Sequence, residues 1–281
     1  MSGIVFFAVI GAALLHAAWN ALVKGSGDKT VSMGAVTLGH ALPALLLLPF
    51  AHVPSAESLP YLAGSVCLHF GYQVFLIKSY ETGDLTQVYP IARGTAPLIV
   101  CFVSVVGLGV ALGGLEILAV CIIGAGILSL ALVRQSDGQR NRHAAALAVT
   151  TSLFIASYSL VDGLGARVAG TALGFYCWLT LFNSLIFALY LKWRAPGALR
   201  EIPRSGLKVF LIGGTASFIA YALVTWAFTQ APIALVTALR ESSIIFALLI
   251  GVFFLKERLS LVKVVSTMMT LLGAVLLRVA R

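Results

Sequence analysis

The chain has 281 residues, 60% of them hydrophobic and only 10% charged. A soluble domain carries about 25% charged residues, so too few polar side chains exist to cover a water-facing surface, which excludes a soluble enzyme or a nucleic-acid binder. The net charge of +9 does not point to nucleic acid either, because the basic residues are scattered through short loops instead of forming one patch.

A helix needs about 20 mostly apolar residues to cross a bilayer core. Breaking the chain at polar, Gly and Pro clusters gives ten such stretches, at about 3–23, 31–50, 59–80, 86–106, 114–133, 145–164, 170–191, 207–229, 233–254 and 260–278. The first is read as a retained span, because Met1-Ser2-Gly3 offers no basic residue of the kind that precedes a cleaved leader. The fourth contains Pro90 near its start and Pro97 in its interior, and the second of these is expected to kink or break it. The ten-residue alternation of a membrane barrel is absent. The predicted fold class is therefore all-α: a polytopic membrane protein of ten helices. Cys67, Cys101, Cys121 and Cys177 lie in apolar runs with no CxxC pair and read as packing residues, so neither a metal nor a cofactor is expected.

With ten spans, 14 of the 19 Lys and Arg residues fall in loops that share one face. Arg167, Arg278 and Arg281 fall on the other, and two more lie within spans. The positive-inside rule makes the basic face cytoplasmic and puts both termini on the non-cytoplasmic side of the cytoplasmic (inner) membrane.

The chain also repeats itself. A shift of 147 overlays the fourth and fifth spans on the ninth and tenth, setting Arg93 on Arg240, Val105 on Val252 and Gly126 on Gly273. A shift of 139 sets Ala17 on Ala156 and Trp19 on Tyr158. This predicts a first five-helix repeat at 1–134, a cytoplasmic linker at 135–143 and a second repeat at 144–281. Because five is odd, the second copy enters from the opposite side, the inverted arrangement that lets two halves exchange conformations about a midplane site.

These features resemble the EamA-type members of the drug/metabolite transporter superfamily, which have ten helices in two five-helix repeats. The residues that carry the likeness are Leu255-Lys256-Glu257-Arg258-Leu259-Ser260, His16-Ala17-Ala18-Trp19-Asn20 and Val88-Tyr89-Pro90-Ile91-Ala92-Arg93-Gly94. The first repeat departs from the pattern, with Gly109-Val110-Ala111-Leu112 where a Glu-Arg pair would stand. The resemblance implies small-solute transport and leaves the solute open.

A charge at mid-bilayer is costly and should face a cavity or a partner. Arg93 and Arg240 each lie about seven residues into their spans, suited to offer a guanidinium to an acidic solute. Each could instead be a strut, Arg240 against the adjacent Glu241 and Arg93 against Glu81, Asp84 or Asp162. Tyr89 shares a helix face with Arg93. Polar stripes add His16 and Asn20, then His69, Gln73 and Tyr80, then Tyr158 with Asp162, Tyr221 between Ser217 and Thr225, and Thr237. His40, Trp178 and Trp193 read as packing or interfacial anchors. Spans five and ten, which have apolar interiors with Gly124, Gly126 and Gly273, read as scaffold or subunit contact.

The reading that results is a secondary carrier in the lipid bilayer, moving a small anionic or zwitterionic metabolite such as an amino acid or related organic acid. No GxxxxGK[ST] motif is present, so the energy comes from a proton or a counter-substrate, with Glu241, Asp162 and His16 as coupling candidates. The alternatives are a non-transporting scaffold or receptor, and an intramembrane enzyme, which HExxH and GxSxG would have signalled and which are both missing. Oligomeric state is left open.

Overall fold

Long apolar runs leave the backbone no way to satisfy its polar groups in lipid except within helices, and every regular element among the described residues is helical. The structure, a computed structural model, describes residues 1–24, 27–82, 85–129, 142–253 and 261–280; for Lys24, Tyr80, Tyr89 and residues 85–87 it describes the backbone alone. The helices are α1 (Gly3–Lys24), α2 (Lys29–Gly39), α3 (Ala41–Leu47), α4 (Leu59–Thr82), α5 (Leu85–Phe102) and α6 (Gly114–Ser129). After the linker come α7 (Arg142–Val168), α8 (Ala172–Arg194), the short α9 (Pro196–Glu201), α10 (Gly214–Gln230), α11 (Ile233–Arg240), α12 (Ser243–Phe253) and α13 (Leu261–Val279).

Among the described residues nine segments are long and apolar enough to cross a membrane. The fifth expected span appears as the 16 residues of α6, and the rest of its predicted range lies outside the described residues. The chain is an all-α polytopic membrane protein. The 255–260 motif and most of the 135–143 linker also lie outside the described residues.

Local chemistry sets the helix ends. Asp28 caps α2 by accepting from the backbone N–H groups of Thr30 and Val31 at 2.7 and 3.0 Å. Thr171 caps α8 by accepting from Gly174 N–H at 3.0 Å. Gly170, at φ +71°, ends the turn out of α7 in the left-handed region that glycine adopts without strain. Arg167, in the last turn of α7, donates to the carbonyls of Phe228 and Ala231 at 2.8 and 2.9 Å, satisfying the open C-terminal end of α10.

Two crossings are interrupted, and neither is the one the prolines predicted. The helix of α5 continues through Pro97 and leaves α geometry only at a π-helical turn, Val103–Gly107. Pro97 removes one backbone bond, that to the carbonyl of Arg93, and the turns on either side carry the helix across the gap. The second crossing bends between α2 and α3, where Pro43 has no N–H to give the carbonyl of Gly39. Gly39 there lies against Gly214 of α10, so closely that a Cβ on Gly214 would stand 2.6 Å from the Gly39 Cα. The ninth crossing breaks at Glu241–Ser242, a tight turn in which the N–H groups of Glu241 and Ser242 reach back only three residues, to Ala238 and Leu239. Such irregular backbone at membrane depth is tolerated where protein buries it, and Arg240, Glu241, Ser242 and Ser243 are all buried.

In lipid, helix association rests on close packing instead of water exclusion. The most extensive interfaces are α4 with α7, α6 with α13, α5 with α7, α1 with α10, and α1 with the α11–α12 crossing. Exchanging each crossing with the one five places later turns this set of neighbours into itself. The α6–α13 contact is its own mirror. A Cβ on Gly126 would stand 2.8 Å from the Met269 Cβ, and one on Gly273 would stand 2.9 Å from the Ala119 carbonyl oxygen. These two helices pack on each other and supply no residue to the central cavity.

Candidate functional site

Every crossing except α6 and α13 contributes to one cavity of about 90 Å³, where a single water needs about 10–15 Å³, so the space suits several waters or one small solute. Its wall follows the sequence repeat. Met33, Val36, Thr37 and His40 recur 143 positions later as Tyr176, Leu179, Thr180 and Asn183. His69, Tyr72 and Gln73 recur 148 positions later as Ser217, Ala220 and Tyr221. Arg93 and Arg240 both line it, as do Trp19 and Tyr158, at the offsets read from the sequence.

One end is built by α5 and α11. Arg93 Nε donates to Glu241 Oε2 at 3.0 Å, and Arg93 Nη2 lies 3.0 Å from Glu241 Oε1. Arg93 is thus paired with a carboxylate that lies 148 positions away in the second half of the chain; of the partners read from the sequence, Asp84 lies outside the described residues. The turn that breaks the ninth crossing is what brings Glu241 inward to α5. The neighbouring Arg240 Nη2 stands 3.6 Å from Glu241 Oε1, and neither its Nε nor its Nη2 has a hydrogen-bond acceptor. Arg240 is 3% exposed and lies over the Tyr221 ring, 5.8 Å from its centroid, a cation–π contact. Two guanidiniums thus meet one carboxylate at the cavity wall, Arg93 the more closely.

A second charged group sits behind the wall. Asp162 is fully buried. It accepts from Ser65 Oγ, from Tyr221 Oη at 2.6 Å, and meets His69 Nε2 at 2.9 Å. The His69 ring stacks on Tyr158 at 4.1 Å and lines the cavity, whereas Asp162 does not. Tyr221 therefore touches both charged groups, its hydroxyl on Asp162 and its face under Arg240.

Of the residues singled out from the sequence, His16, His69, Gln73, Arg93, Tyr158, Tyr221 and Arg240 line the cavity. Glu241 and Asp162 support lining residues from behind. Asn20 turns its amide back to the His16 carbonyl at 2.7 Å and is not in the wall. Thr237 is buried outside it. The side chains of Tyr80 and Tyr89 lie outside what the structure describes. His40, read as an anchor, lines the cavity instead, because the bend after Gly39 places it at the cavity wall. Trp178 is half-buried and stacks on Phe182, and Trp193 is exposed beside Arg194, as expected of anchors. Tyr72, Tyr176 and Asn183 also line the cavity and were not singled out. Their recurrence at the repeat offset was the signal that could have found them.

Comparison with known proteins agrees with this architecture. No curated protein matches the chain. A solved structure titled only "Crystal structure of protein" superposes with a TM-score of 0.75 over 100% of this chain and 98% of its own, at 16% identity, a likeness of fold alone. Residues 143–279 match the EamA-like transporter family. This second half of the chain thus carries the likeness to that family, a part of the drug/metabolite transporter superfamily.

Proposed function

We propose that the protein is a secondary carrier that moves a small acid-bearing metabolite, anionic or zwitterionic, by alternating access between two inverted five-helix repeats, 1–134 and 144–281. One observation carries the reading: Arg240 is buried at the cavity wall with two N–H-bearing nitrogens lacking a hydrogen-bond acceptor, while Glu241, 3.6 Å from it, is held more closely by Arg93. Leaving such a group unpaired costs stability, and a planar acid group is the complement a guanidinium fork fits. A scaffold has no use for that cost, because it could bury an apolar side chain there instead. Support for the two repeats comes from the neighbour pattern, which survives exchange of the halves, and from the paired offsets of the cavity wall.

The expected result is that a screen of small carboxylates and amino acids raises the melting temperature of detergent-purified protein for at least one compound, and that this compound exchanges in counterflow. Arg240→Gln should lower its affinity at least about tenfold, since hydrogen bonds to a charged group contribute roughly 1.5–3 kcal/mol. Unchanged affinity would remove Arg240 from the site.

The basic loops favour a cytoplasmic linker with both termini outside. An alkaline phosphatase fusion at the C-terminus is accordingly expected to be active in cells, and an inactive fusion with normal expression would reverse the topology.

Energy for uphill movement is assigned to the His69–Asp162 pair. Glu241 is already engaged by two guanidiniums, and His16 has a ring contact with Trp19 but no carboxylate among its described contacts. Asp162 has an imidazole within hydrogen-bond distance, and that imidazole reaches the cavity.

A further inference from the structure

The cavity has a second polar end, which the acid-anchoring role does not use. The amide of Gln73 on α4 gives its Nε2–H to Thr37 Oγ1 at 3.3 Å, and its Oε1 has no partner. Asn183 Oδ1 on α8 is likewise without one, as is the indole Nε1 of Trp19 on α1. All three residues line the cavity, and Gln73 and Asn183 are each 5% exposed. They gather about one junction: Thr37 of α2 takes the Gln73 bond on its hydroxyl and accepts from Ser184 Oγ of α8 on its carbonyl at 2.8 Å. This junction belongs to α2, α4 and α8, which pack on one another, while α5 and α11 pack on each other and on α6 and α7. The two polar ends therefore belong to different helix groups, with the cavity between them.

Buried polar atoms are nearly always satisfied, and each orphan calls for an explanation. Here the orphans face the same space as Arg240, so a solute can satisfy both ends at once. We infer that the transported acid carries at its far end a hydrogen-bonding group, such as a hydroxyl, carboxamide or amine, held between Gln73 and Asn183, and that these two side chains select against acids with an apolar tail. The inference rests on the acid-anchoring role of Arg240. A carboxamide side chain turns either its oxygen or its NH2 inward, so the pair reads the presence of a polar group at that distance and not its charge. An apolar tail would leave both amides desolvated and unpaired. That penalty is how sites built to hydrogen-bond a substrate group reject analogues that lack it.

The test uses matched probes on the purified full-length protein: propionate against β-hydroxypropionate, and butyrate against γ-hydroxybutyrate. Titration calorimetry should show the hydroxylated member of at least one pair binding about tenfold tighter or more. Gln73→Met and Asn183→Leu should each shrink that ratio toward one while leaving the affinity for the plain acid unchanged or tighter, a readout that general damage to the fold would not produce. Equal affinities within both pairs in wild-type protein overturn the inference and leave the acid anchor standing. If Arg240→Gln leaves the affinity for both members of a pair unchanged, the acid anchor itself fails and this inference with it. The wild-type comparison decides the matter even if a variant does not fold.

Discussion

Replacing Glu241 by Gln is expected to cost the folded protein about 3–5 kcal/mol, because it leaves buried charge without its partner. Arg93 and Arg240 are 6% and 3% exposed, so water entering the cavity can recover only part of what they lose. Together they would face each other across a neutral amide. Breaking a buried pair differs from deleting it, however. Arg93→Met together with Glu241→Leu removes both charges, and replacing a buried pair with apolar groups of similar size is often close to neutral. The double variant should therefore melt well above Glu241→Gln, because it leaves one guanidinium without the carboxylate where Glu241→Gln leaves two, and Arg240 stays available to an acid. Measuring melting temperature and monodispersity of the wild type, Arg93→Met, Glu241→Leu and the double variant gives a cycle whose coupling energy isolates the pair. If Glu241→Gln melts like wild type, the carboxylate does not hold the two guanidiniums in the folded protein.

Asp162→Asn is expected to separate exchange from uphill transport. Asp162 is fully buried, and among the described residues its one ion-pair partner is His69. The groups that meet it are Ser65 and His69 from α4 and Tyr221 from α10. Tyr158, on its own helix, stacks on His69, and Tyr176 of α8 packs against Tyr221. Arg240 approaches from the other face of Tyr221. With a neutral imidazole, the charges of Arg93, Arg240, Glu241 and Asp162 cancel. On the proposed carrier reading, an entering monoanion would upset that balance and a proton on the His69–Asp162 pair would restore it, so anion and proton are expected to bind cooperatively, each by linkage favouring the other. One proton per anion supports about a tenfold concentration ratio for each unit of pH difference. In proteoliposomes, wild type should accumulate the solute identified by counterflow when the outside is more acidic. Asp162→Asn should retain counterflow, because Arg240 is intact, but its accumulation ratio should fall to one. Accumulation that persists in Asp162→Asn would move the coupling elsewhere.

Tyr221 joins these two results. It donates its hydroxyl to Asp162 and its ring to Arg240, so a change at either charged group is felt through one side chain. It also stands 148 positions from Gln73, its counterpart in the first repeat. The two halves thus build the same wall position with different chemistry. On the proposed carrier reading, that asymmetry would give a solute one orientation in the cavity.

Much of this was legible without coordinates, for definite reasons. A span must be apolar over a length set by the bilayer, so the limits of the crossings are written in local hydropathy. A charge inside such a span is rare and expensive, which is why Arg93, Arg240 and Asp162 stood out. The offset of 147 that overlays Arg93 on Arg240 needs only the letters of the chain. Reading Pro97 as a break failed because a missing N–H weakens one bond and the tertiary surroundings decide whether the helix continues. The break at Glu241–Ser242, unlike the bend beside Gly39 and Pro43, has neither proline nor glycine to announce it.

Local pattern therefore determined which segments are apolar enough to span a membrane and which residues could not rest in lipid, since both depend on near neighbours along the chain; the offset of 147 supports the proposed repeat. Only the tertiary structure decided which charge meets which. Glu241 adjoins Arg240 in sequence, yet its closer ion pair is with Arg93, because that choice depends on how two helices from opposite repeats are rotated against each other. The same rotation turned His40 and Asn183 into the cavity and Asn20 and Thr237 out of it. A helix presents residues on every side, and only its neighbours settle which side faces the solute.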